Sequence, residues 1–180
     1  MWGKFYEKCM QEDNKYQTFA VANYILDKLR RHGINDITNV KLQKVLYLAY
    51  GLYLCLTNEE LFQSPIYAWK LGPVVPDIYS EFKDFGRSVI TTKAAILLDD
   101  DSGEVVFPEL PRNFKTKPLD IACTGYGQKR AWDLVDITHD KASAWGKHYI
   151  EGKMNIILPK EDIRAELEDK LGDIAKYLSK

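Results

Sequence analysis

The chain is poor in cysteine. Three occur in 180 residues, Cys9, Cys55 and Cys123, widely spaced and odd in number. That argues against a disulfide framework and fits a reducing compartment, with each thiol expected to act as a small buried hydrophobe. Charge of one sign is also scarce: 25 Lys and Arg against 26 Asp and Glu leave a formal net charge of −1. No global basic field draws such a chain to nucleic acid or to an anionic membrane, and neither is expected as a partner. The longest stretch without charge, Val45 to Asn58, has 14 residues. A membrane span needs about 20 apolar residues, so this stretch reads as a buried core helix. The opening residues, MWGKFYEKCMQEDNKY, lack the continuous apolar core of a signal peptide, and a cytoplasmic protein is expected. Internal repeats and low-complexity tracts are missing.

Chemistry-bearing patterns are equally sparse. Metal sites show paired ligands at close spacing, whereas Cys123, His139 and His148 stand apart, and no metal or cofactor is expected. In Asp99-Asp-Asp-Ser-Gly-Glu104 the glycine falls too early for an EF-hand loop, and a solvated hairpin tip is the better reading. Gly125-Tyr-Gly127 lacks the remaining elements of a phosphate loop and reads as a turn before a helix. No G-x-S-x-G elbow is present. Thr138-His139-Asp140 could place a general base, giving a hydrolase using His139, but Thr138 at a helix N-cap with an acidic first turn is ordinary capping chemistry. His139 would then sit near the positive end of a helix, which disfavours the imidazolium. No catalytic residue is assigned, and the expectation is a protein that is not an enzyme.

What is present is an ordinary globular composition, 46% hydrophobic and 28% charged, in a chain long enough to bury about 70% of its unfolded surface. Residues 1–16 show no clear period and read as an arm. Phe19, Ala22, Ile25, Leu26 and Leu29 form one helical stripe, with positive charge in the last turn and a stop at Gly33. Thr38 or Asn39 can cap the next helix, which has two apolar seams: Leu42, Leu46, Ala49, Tyr53 and Leu56, and Val45, Leu48, Leu52 and Cys55. Lys41 and Lys44 are expected to keep its first turns wet, and Gly51 to permit a close backbone approach. Asn58 to Gln63 reads as a turn with a short helical piece. Pro65 to Leu71 reads as an extended segment ended by Gly72-Pro73. Pro76 can open a helix whose inner face is Ile78, Tyr79, Phe82 and Phe85, with Gly86 as stop.

Ala94–Leu98 and Glu104–Phe107 can pair as a β-hairpin. Helical texture returns near Leu119, with Trp132, Val135, Ile121 and Leu134 facing inward. Thr138 is expected to cap a helix carrying His139, Trp145 and His148, ended by Gly152. The last helix, Glu161 to Leu178, has the stripe Ile163, Leu167, Leu171, Ile174 and Leu178. The fold class is mainly α (α+β): a single-domain helical bundle around a central apolar helix at about 39–57, with short extended segments near 65–71 and 94–107. The aromatic content, eleven Tyr, four Trp and seven Phe, exceeds what a core of this size requires. Tyr and Trp dominate binding hot spots, so Tyr67, Trp69, Lys70, Tyr79, His139 and Trp145 are the partner-binding candidates.

The motifs then converge on a family. Asn39, the run Lys41-Leu42-Gln43-Lys44-Val45-Leu46-Tyr47, Leu61-Phe62, and Ala68-Trp69-Lys70-Leu71-Gly72-Pro73-Val74-Val75-Pro76-Asp77-Ile78-Tyr79 resemble the Panacea antitoxin domain, a SocA-like, phage-associated family. A second block, Leu134, Thr138, His139 and Trp145, follows in the same order. Ala144 departs from the proline that often precedes that Trp. The resemblance covers roughly residues 17–150. An N-terminal arm at 1–16 and a C-terminal amphipathic helix within 151–180, expected to pack on the same domain, lie outside it. In that pattern Lys41, Leu42, Gln43, Lys44, Leu46, Tyr47, Gly72, Pro73, Pro76 and Thr138 are structural. The resemblance implies a mainly helical antitoxin, bacterial or from a prophage, that neutralises a cognate small protein toxin by direct binding. An alternative within it is an adaptor that delivers the toxin to a cytoplasmic protease. The motifs do not encode the toxin's identity or the oligomeric state.

Overall fold

The fold is described from a computed structural model, which covers the backbone of residues 2–99 and 103–178 and the side chains of 13–97 and 103–172. Cys9, the side chains of Ile174 and Leu178, and the acidic tip at 100–102 lie outside the described residues. Helix α1 spans Trp2–Arg31, so the aperiodic opening segment continues into the first stripe as one helical backbone. It stops as expected at Gly33, whose φ of +76° favours a residue without Cβ.

Helix α2, Asn39–Thr57, is the axis of the molecule. Thr38 caps it by accepting from Lys41 N–H, and Asn58 closes it in the left-handed conformation. Every residue from Leu42 to Leu54 is buried, because helices surround it: α1, α4 (Lys117–Tyr126), α5 (Ala131–Thr138) and α7 (Lys160–Leu178) all pack against α2. Leu56, assigned to a seam, is exposed instead. A Cβ on Gly51 would lie 2.5 Å from Leu167 Cγ, so the glycine permits the α2–α7 approach. Ile163 and Leu167 are fully buried on that inner stripe.

After α2 the chain runs through bends, with no helical piece at 58–63. It then forms a tight hairpin, β1 (Tyr67–Trp69) against β2 (Gly72–Val74). Gly72-Pro73 therefore begins the return strand instead of ending an isolated one, and the turn falls at Lys70-Leu71. The segment 156–158 lies along the other edge of β1, with Ala68 N–H donating to Ile156 (2.9 Å) and Leu158 N–H to Ile66 (2.8 Å). Pro76 opens α3 (Pro76–Glu81), followed by a 3-10 turn at Lys83–Phe85 that Gly86 closes. The second hairpin pairs β3 (Ile96–Asp99) with β4 (Glu104–Val106), as anticipated. Buried Asn23 of α1 anchors its base: its amide donates to the Ala94 and Pro108 carbonyls (both 3.0 Å) and accepts from Ala94 N–H (2.7 Å).

The C-terminal half departs most from expectation. Gly125 lies inside α4 and Gly127 caps its C-terminus, so this pair does not precede the next helix as a turn. Trp132 is 63% exposed, on the outer side of α5, while Leu134 and Val135 face the core. Thr138 ends α5 and caps nothing: its hydroxyl donates to the Leu134 and Val135 carbonyls (3.0 and 3.1 Å). Ser143 is the cap of the short helix α6 (Ala144–His148), accepting from Gly146 N–H at 3.0 Å. That helix ends at His148, four residues before Gly152. Among the described residues the molecule is thus a mainly helical single-domain bundle of seven α-helices with two small antiparallel hairpins.

Candidate functional site: an aromatic corner over a buried lysine

One polar face of α2 holds the β1–β2–α3 corner. Asn39 donates to the Tyr79 carbonyl (3.0 Å), Gln43 Oε1 accepts from Val75 N–H (2.8 Å), and Gln43 Nε2 donates to Asn39 Oδ1 (3.3 Å). Lys44 Nζ donates to the Pro73 carbonyl (3.0 Å). These bonds satisfy backbone groups that a tight corner would otherwise leave unpaired. Lys41 and Lys44, expected to be wet, are each 1% exposed. Lys41 Nζ reaches the exposed carboxylate of Asp36 at 2.5 Å. Lys44 has no carboxylate partner among the described residues, and burial pushes its pKa down to about 7.

His139 is not at a helix start. It follows the C-terminus of α5, where the dipole would favour the imidazolium. Burial, with Lys44 nearby, nevertheless lowers its pKa, against the smaller opposing influence of Asp136 and the Leu71 carbonyl. Its Nε2 is buried without a hydrogen-bond partner among the described residues, so no nucleophile is paired with it there. A Cβ on Gly72 would lie 2.6 Å from Lys44 Nζ and 3.2 Å from His139 Cδ2. The glycine, with φ of +96°, thus separates the two bases by the width of a backbone.

The candidates Trp69, Tyr79, His139 and Trp145 form one linked aromatic array. Trp69 and Tyr79 meet edge to face with centroids 5.0 Å apart. His139 stacks on Trp145 at 3.9 Å, and Trp145 on Tyr149 at 4.6 Å. Trp145 Nε1 donates to the Trp69 carbonyl (2.8 Å), and Trp69 Nε1 to the Met154 carbonyl (2.7 Å). Tyr79, assigned inward, is 40% exposed and forms a wall of the surface here. With Val40, Gln43, Leu71, Val74, Met154 and the exposed Lys70, Trp69 and Tyr79 surround a mainly apolar pocket of about 190 Å³ that Lys44 also lines. Tyr67 borders an adjoining hollow shared through Trp69 and Met154. On the other side, Val40 and Leu71 lead into a hollow of about 370 Å³ bounded by Arg87, Ala131 and Trp132. All six candidates fall in this region. Sequence reasoning missed Val40, Met154, Tyr149 and Trp132 as its boundaries, since only the tertiary fold brings together positions so far apart in sequence.

A second polar node lies one turn further along α2, toward α7. Glu166 of α7 is buried and accepts from the Tyr47 hydroxyl, from Ala144 N–H (2.9 Å) and from Lys170 Nζ (2.6 Å). Burial and the neighbouring Glu166 hold the Tyr47 phenol well above its usual range. One carboxylate thereby ties α2, α6 and α7, which gives Tyr47 a structural reason. Among the described residues no group of His, Cys, Asp and Glu could hold a metal, and no helix is long and apolar enough to cross a membrane. Cys123 is buried and its thiol is pushed up to about 12 by burial, whereas Cys55 is half-buried.

Fold and site together define a helical scaffold that carries an aromatic recess. The chain belongs to the SocA-like antitoxin family defined by the Panacea domain, whose model matches residues 42–146. It is 32% identical over 136 residues to Antitoxin SocA of Caulobacter vibrioides (strain NA1000 / CB15N), covering 75% of this chain and 71% of that protein. No solved structure matches.

Proposed function

We propose that this protein is an antitoxin that neutralises a cognate protein toxin by direct binding in the cytoplasm, and that it is not an enzyme. Family membership carries the antitoxin role. The aromatic corner formed by Trp69, Tyr79 and Trp145 supports binding as the mechanism. Its rings are held by one another and by backbone hydrogen bonds, so little side-chain freedom remains to be lost on association. The toxin's surface covers this corner, with Tyr67 and Lys70 at its margin.

The test is co-expression with the product of the adjacent reading frame. The expected result is restored growth and a stable complex on gel filtration. No rescue and no complex would remove that candidate toxin. A toxin half-life that falls in this protein's presence would favour delivery to a protease over direct inhibition.

A further inference from the structure

Lys44 contributes three N–H donors, of which one meets the Pro73 carbonyl. Of the polar side chains beside it, Gln43 is already satisfied, using its oxygen on Val75 and its nitrogen on Asn39, and His139, also next to Gly72, brings no negative charge. No acid lines the pocket, while a second lysine, Lys70, stands exposed at its rim. A buried ammonium without a counterion is costly, and replacing such a group by an apolar side chain commonly leaves a protein as stable or more so. The fold therefore sets two lysine side chains, Lys44 and Lys70, among the apolar walls of the recess. Two further hollows adjoin the recess, which shares Val40 and Leu71 with the one beside Trp132, and Trp69 and Met154 with the one beside Tyr67. An internal segment, with residues on either side of its acid, would reach both hollows, whereas a chain terminus would reach one.

We propose that the pocket over Lys44 receives an acidic side chain from an internal segment of the protein partner, its carboxylate meeting the Lys44 ammonium and its apolar neighbours lying against Trp69 and Tyr79. This rests on the antitoxin reading only for the identity of the partner. The selectivity is one of charge: a carboxylate supplies the acceptor that Lys44 lacks, and an amide of the same shape does not supply the charge.

Three tripeptides test it without any toxin: N-acetyl-Leu-Glu-Phe-amide, its Gln counterpart, and the Gln peptide ending in a free carboxylate. Binding is read by titrating the Trp69 indole N–H signal in the NMR spectrum of the full chain. The Glu peptide is expected to shift that signal saturably and to bind about 10- to 100-fold more tightly than the Gln amide, the range for a charge-assisted hydrogen bond. Lys44→Met should abolish the difference. Lys70→Glu, at an exposed position where folding is not at stake, should weaken the Glu peptide by about 2- to 5-fold. Thermal melting of each variant separates lost binding from lost fold. Equal binding of the Glu and Gln amides, a preference for the free-carboxylate Gln peptide, discrimination that survives Lys44→Met, or no saturable shift with any peptide would each overturn the proposal. Failure of growth rescue would instead strike the antitoxin reading and leave the peptide result standing.

Discussion

Helix α2 carries two buried polar nodes one turn apart, at Lys44 and at Tyr47, and the two are completed differently. Toward α7, Tyr47 meets Glu166, which also accepts from Ala144 N–H and Lys170, so the charge of the carboxylate is matched within the fold. Toward the β1–β2 hairpin, Lys44 meets a single carbonyl, and neighbouring His139 Nε2 meets nothing among the described residues. Beside Glu166, Leu167 fills the space that Gly51 leaves. Beside Lys44 lies a recess of about 190 Å³. A satisfied polar node with close packing is what a scaffold needs. A buried cation with one hydrogen bond beside an apolar recess leaves donors unused, and it marks the turn of α2 at which an external group is called for.

The contrast can be broken from the scaffold side first. Leu167→Ala should cost about 2–5 kcal/mol by leaving a cavity against α2, read from urea unfolding midpoints. Toxin affinity of the folded fraction should be unchanged. Gly51→Ala should destabilise by about 1–3 kcal/mol even though alanine is the better helix former, because the new methyl meets Leu167 at 2.5 Å. A stabilised Gly51→Ala protein would show that the α2–α7 approach is looser than described.

The pocket side should answer to pH. Lys44 has a folded pKa of about 7 against an ordinary 10.5, so the unfolded chain binds the extra proton between those values. The cost of burying the charge is fully present below about 7 and is relieved as pH rises toward 10.5. Lys44→Met should therefore exceed the wild type in stability at pH 6.5, and the gap should shrink by on the order of 1–3 kcal/mol by pH 9. A constant gap across that range would mean that Lys44 is not the titrating group. His139, lowered from 6.5, acts in the same sense further into acid, since protonating it favours the unfolded chain. The smallest stability effect belongs to the partner face. Tyr79→Ala should change folding stability by about 1 kcal/mol or less, because the ring is 40% exposed, while weakening toxin binding by more than 1 kcal/mol. Equal losses in both measurements would place Tyr79 in the scaffold.

Much of the scaffold was legible because its causes are local. The Thr38 cap, the Gly33 and Gly86 stops, the Pro76 start, the β3–β4 hairpin and the inner stripe of α7 each follow from a few adjacent residues. Even the close approach at Gly51 was implied by a glycine in an apolar helix. The aromatic content and motif single out residues that the fold brings into one region, but their arrangement was not legible. Thr138 and Ser143 both have the chemistry of an N-cap, five residues apart. Only the packing of α5 and α6 decides that the first ends a helix and the second begins one.

By itself, then, the chain determined its central helix, its caps and turns, and membership of its family, since these depend on hydrophobic period, short-range hydrogen bonding and residue order. The tertiary structure alone decided the fate of its charges. Lys44 reads as solvated in any hydropathy scheme, because its ammonium prefers water. It becomes buried only when a hairpin some thirty residues later folds across its stem and offers one carbonyl where water would offer several partners.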